Sequence, residues 1–169
     1  MKSNTKKFSL LIVALLISFN SVAEPKRLAL QLAVIKHAAG SKEIMKGEYG
    51  QGLQKLVKAS ARKRALFDIA TGICAAKIMT NDLEQAIPFC SQAIDMYKER
   101  RNSKYHYLTS IAYSNRGIVR FKLGDMAGAL EDIETAVSID NNNIVLSNLD
   151  YLKSRLSANQ QETLQVASD

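Results

Sequence analysis

The sequence predicts an all-α protein assembled from stacked helix hairpins, and three observations carry that expectation. Across 169 residues there are only two prolines and eight glycines. No alternation of apolar and polar residues persists beyond a few positions, so the period of two that marks strands is missing. Small residues recur in register at a spacing of 34, a period typical of chains built from repeated supersecondary units.

The elements follow in chain order. Lys2, Lys6 and Lys7 precede the apolar run FSLLIVALLISF at 8–19, and NSVAE follows at 20–24. A basic start, a 12-residue apolar core and the small residues Ser21 and Ala23 form the pattern of a signal peptide over 1–23, with cleavage expected between Ala23 and Glu24. That core is shorter than the roughly 20 residues of a membrane span, so no stable membrane insertion is expected after signal removal. The expected product has 146 of the 169 residues and resides in the periplasm or is secreted. It is long enough for one domain, placed at 24–160, with a frayed tail at 161–169.

Losing the three lysines takes the formal charge from +7 to +4, and the remainder is uneven. Residues 26–64 carry ten basic side chains against Glu43 and Glu48, whereas 125–169 carry eight acids against Lys153 and Arg155. Such a dipolar surface can steer an acidic partner or favour association of the chain with itself as a homo-oligomer. Nucleic acid is not the expected partner, because no base-reading motif accompanies the basic half.

Three stretches align: KGEYGQGLQKLVKAS at 46–60, TNDLEQAIPFCSQAI at 80–94 and LGDMAGALEDIETAV at 123–137. Each has a polar turn, an acid near the next helix start and two small residues seven apart. These are Gly47, Glu48, Gly52 and Ala59; Asn81, Asp82, Ala86 and Ala93; Gly124, Asp125, Ala129 and Ala136. Seven residues before each turn stand Gly40, Cys74 and Gly117, again small. Small side chains at these points let two helix axes approach, and larger apolar neighbours fill the space between hairpins. The second interval is 43 rather than 34, so nine residues are inserted between copies two and three.

On these residues the sequence resembles the tetratricopeptide repeat family. The best copy, SIAYSNRGIVRFKLGDMAGALEDIETAVSIDNNN at 110–143, has the family's aromatic at Tyr113, its glycine at Gly117, the turn at Gly124 and Asp125, and Ala129 and Ala136. It departs at Arg120, where a tyrosine is customary, and at Asn141, where proline is usual. The copy at 67–100 lacks the aromatic (Ala70) and the first glycine (Cys74), and the copy starting near Ala33 has Lys36 and Gly52 at positions of an aromatic and an alanine. The resemblance implies a short right-handed solenoid of about three helix hairpins plus a C-terminal capping helix, the latter with the stripe Ile144, Leu149, Leu152 and Leu156. It also places a partner groove on the first helices, at Thr71, Ala75 and Ile78 in copy two and at Ser114, Ile118, Phe121 and Lys122 in copy three.

Two side-chain pairs follow from antiparallel hairpins. Arg116 and Asp132 can face each other as a structural ion pair, a combination that many family members share. Cys74 and Cys90 should meet at one crossing, either as a disulfide or as two buried thiols; their spacing is not the CxxC of redox chemistry. The insertion carries Tyr97, Arg100, Arg101, Lys104, Tyr105 and Tyr107, readable as a contact ridge or as longer packed helices with solvated charges.

The inventory argues against an enzyme. His37 and His106 are the only histidines, they lie in different repeats, and no metal-ligating, phosphate-cradling or nucleophile motif appears, so no metal or cofactor is expected. The expected function is a periplasmic protein-protein interaction or scaffold module that binds a protein segment in its concave groove. The alternative is a structural helical subunit assembling through its ends without a peptide ligand.

Overall fold

Three tight turns set the architecture. At Gly47, Asn81 and Gly124 the backbone enters the left-handed region, with φ of 84°, 59° and 87°. The next amide then reaches back over the turn: Glu48 N to Glu43 O, Asp82 N to Lys77 O and Asp125 N to Arg120 O, each at 2.9 Å. This pattern satisfies carbonyls that a helix end otherwise leaves without partners. Glycine adopts the conformation freely, and asparagine tolerates it better than most L residues, which explains the residue types at the three equivalent positions. Asp125 also starts the following helix, its Oδ1 accepting from Gly128 N at 2.9 Å.

The structure, a computed structural model, describes residues 29–60, 66–98 and 102–166. The expected signal peptide, Arg100 and Arg101 lie outside the described residues, as does the Lys104 side chain. Among the described residues there are seven helices: α1 (Ser41–Met45), α2 (Tyr49–Ser60), α3 (Leu66–Met79), α4 (Leu83–Tyr97), α5 (Ser103–Lys122), α6 (Met126–Ile139) and α7 (Asn143–Val166). None of them is long and apolar enough to cross a membrane.

Each helix packs on the next in chain order. In addition α1, α3, α5 and α7 touch in succession, whereas α2, α4 and α6 do not touch one another. The odd helices therefore form the inner row of a two-layer, solenoid-like stack whose core is continuous from one hairpin to the next. Central α3 is buried along nearly its whole length, from Phe67 to Ile78, because neighbours cover it on every side.

The small residues sit where the helices cross. A Cβ on Gly117 would lie 2.7 Å from Ile133 Cγ1 and 3.1 Å from Ala129 O, and one on Gly52 would lie 2.7 Å from Ile44 Cγ1 and 3.1 Å from Gly40 O. At the equivalent crossing of α3 and α4, Cys74 and Cys90 are joined as a disulfide with their Cα atoms 5.2 Å apart.

The first hairpin departs from the repeat. Its first helix is only Ser41–Met45, and residues 29–36 form no helix. Gly40, at φ 76°, lies so close to Gly52 that any side chain would strike backbone. The apolar residues upstream of it are recruited elsewhere, across the inner row. The insertion lengthens α5, which starts at Ser103, while the last described residue after α4 is Lys98. After α6 the chain turns without proline: Asn142 Oδ1 accepts from Ile144 N and Val145 N at 3.1 and 3.3 Å, and its Nδ2 donates to Ser110 Oγ at 3.0 Å. The helix begun there continues to Val166, with every residue from Ser157 onward exposed.

Candidate functional site

The inner row is not bare. Residues 29–36, ALQLAVIK, run across it from α7 over α5 to α3, held by two asparagines. Asn148 Oδ1 accepts from Gln31 N at 2.6 Å and Asn148 Nδ2 donates to Gln31 O at 2.9 Å. Two residues on, Asn115 Oδ1 accepts from Ala33 N at 2.9 Å and Asn115 Nδ2 donates to Ala33 O at 2.8 Å. Each carboxamide thus imitates a neighbouring strand, giving one acceptor and one donor to a single residue of an extended chain. A second bond from Asn148 Nδ2, 2.8 Å to Ser114 Oγ, ties the clamp to α5.

Both asparagines are fully buried. Without the segment their amides would lose these partners and exchange them for water. Between and beside the clamps, apolar side chains attach the segment to the core. Leu30 and Leu32 pack against the cluster of Cys74, Ile78 and Ile118. Val34 packs against that of Ile44, Leu56 and Ile73, and Ile35 against Phe67 and Ala70.

The packing is incomplete. One cleft of about 330 Å³ opens beside Leu32 and Val34, lined also by Met45, Tyr107, Ile111 and Ile144. A second, of about 250 Å³, opens between Leu30, Leu32, Ile78, Met79, Ile118 and Lys122. Among the described residues, the hydroxyls of Thr71 and Thr109 are buried without a hydrogen-bond partner.

The expected groove residues divide accordingly. Thr71, Ala75, Ile78, Ser114 and Ile118 are all buried. Lys122 is exposed at the edge of the smaller cleft. Phe121 is turned to the α7 side, edge-on to Tyr151 with ring centres 5.6 Å apart. Of the expected ridge, Tyr97 stacks between Phe67 and Tyr105 at 4.6 and 4.7 Å and belongs to the core at that end, while Tyr107 is exposed in the larger cleft. The two asparagines were missed by the sequence reading. The available signal was their placement: Asn115 stands among Ile111, Ala112, Ile118 and Val119 on a buried helix face, where a carboxamide needs a partner.

Arg116 and Asp132 form a forked pair, Nε to Oδ2 at 2.8 Å and Nη2 to Oδ1 at 2.7 Å. Arg116 Nη1 also donates to Ser91 Oγ at 3.1 Å, and its guanidinium lies 5.4 Å over the Tyr113 ring. The bonds to Asp132 raise the Arg116 pKa above its already high ordinary value, against the opposing effect of burial. Arg120 approaches the same carboxylate at 3.2 Å and donates to Gly128 O at 3.1 Å. The network joins α4, α5 and α6 and so fixes these helices against one another. Among the described residues no group of His, Cys, Asp and Glu could hold a metal ion.

No family model matches the chain, and no curated protein matches it either.

Proposed function

We propose that the chain is an exported protein-interaction module of the tetratricopeptide-repeat type, a right-handed solenoid that engages a protein segment on its inner face within the periplasm. The observation that carries this reading is the pair of buried carboxamides, Asn115 and Asn148, whose bonds go to the main chain of an extended stretch. A surface that binds extended backbone in cis has the chemistry to bind it in trans, and clefts beside the segment supply side-chain pockets. Catalysis has no part in this mechanism; burial of apolar side chains and main-chain pairing supply the affinity.

The test is photocrosslinking in intact cells from position 122, at the cleft edge, compared with position 92 on the opposite layer. A protein captured from 122 and not from 92 supports the inner face as the docking site. Equal capture from both positions, or from neither, counts against it.

One observation favours the second reading, a structural subunit without a peptide ligand: residues 29–36 already cover the inner row. In that case the chain forms oligomers whose population rises with concentration, and inner-face substitutions leave every association unchanged.

A further inference from the structure

The N-terminal segment satisfies the clamps but fits the surface around them poorly. Three observations coincide. The clefts of about 330 and 250 Å³ both adjoin Leu32, so the side chain in the middle of the segment leaves space on either flank. Main-chain reading by the asparagines ends at Ala33, and the chain then turns away, with Ala38 N donating to Ile35 O at 3.0 Å and Ser41 N to Ala38 O at 3.2 Å. Thr71, at the repeat position that Ser114 and Asn148 occupy in the later copies, keeps a buried hydroxyl with no partner. The turn is imposed by covalent connection to α1. An occupant from another molecule has no such tether and can continue straight toward the α3 end of the row.

We propose that residues 29–36 are a displaceable plug, and that the ligand replacing them is an extended segment of another protein with a side chain larger than leucine in the Leu32 register, its main chain read by Asn115 and Asn148. The inference rests on the inner-face reading above. It adds a gate, because the ligand meets only the fraction of molecules whose own segment has left, and its apparent affinity falls by that fraction. Any occupant must present a free N–H and C=O at two positions two residues apart, which excludes proline at either. The apolar character of both clefts calls for an aromatic or long aliphatic residue between them.

Two labelled peptides test this with the full chain: the native sequence of 28–37 and the same peptide carrying Leu32→Phe. Anisotropy should give at least about fivefold tighter binding for the phenylalanine peptide, from the extra apolar area that it buries. Adding it should accelerate hydrogen exchange at the Gln31 and Ala33 amides while α3 to α6 stay protected. In the protein, Ala33→Pro removes one clamped N–H and weakens the plug, so both peptides should bind about tenfold tighter. Asn115→Ala in that background should remove the gain.

Failure of both peptides to bind Ala33→Pro protein with native helical content and no free thiols overturns the proposal. So does binding that leaves exchange at Gln31 and Ala33 unchanged, or equal affinity for the two peptides. An Ala33→Pro or native chain that dimerises and excludes both peptides would make a second copy the occupant, also against the proposal. If the peptides displace the plug while crosslinking in cells captures nothing, the site stands and the cellular function does not; capture without displacement places the partner on another face.

Discussion

At Gly117 a single missing methyl group decides how close two helices come. The added Cβ of Gly117→Ala would press on both a buried isoleucine and a backbone carbonyl, so about 1–3 kcal/mol of stability should be lost in urea unfolding. Gly124→Ala isolates a different cause, since nothing lies within 4 Å of its Cβ and only the positive φ is strained; about 1 kcal/mol is expected. A larger loss for Gly124 than for Gly117 would refute the close-crossing account. Asp132 gives an asymmetric prediction. Without it Arg116 loses its forked partner and Arg120 keeps only the looser Asp125 and Glu131 at 3.9 and 3.8 Å, whereas without Arg116 the carboxylate retains Arg120 at 3.2 Å. Asp132→Ala should therefore cost about 3 kcal/mol and Arg116→Ala roughly half as much. Equal costs would mean that Arg120 contributes nothing.

Among the elements, those built from local chemistry were legible and those built from distant contacts were not. The turns at Gly47, Asn81 and Gly124 announce themselves because a left-handed residue and a following acid act within one turn of chain. Packing of α3 against α4 and of α5 against α6 follows from small residues at fixed spacing. The shortened α1 could not be read, because what keeps 29–36 out of a helix is a pair of side chains 82 and 117 residues away. Asn115 and Asn148 look like ordinary helix polar residues until the extended segment that they hold is placed. The disulfide closes a separation of 16 residues between α3 and α4. Loop-closure entropy assigns such a link about 3 kcal/mol, so Cys74→Ala with Cys90→Ala should lower stability by about that amount, measured against the wild-type chain under non-reducing conditions. No change would mean that packing alone aligns this hairpin. At the other end, residues 158–166 of α7 are exposed. Ending the chain at Ser157 should leave the unfolding midpoint unchanged; a marked drop would show that the overhang packs on something in solution.

At the scale of the whole molecule, Gln31 bonds α7 while Val34 and Ile35 reach the hairpins at the opposite end of the row. Ordinary stacked repeats interact only with their nearest neighbours, and their outer units can melt while the middle survives. Here the segment at 29–36 fastens the last helix to the first hairpin, like the thread that holds a folded booklet at its spine. Heat should consequently dissolve the molecule in one concerted event, with the tyrosine signal near Tyr97 and the far-ultraviolet helix signal vanishing at a common temperature. Cutting that thread, by Asn148→Ala, should split the transition in two, the helix next to the carboxyl end departing first.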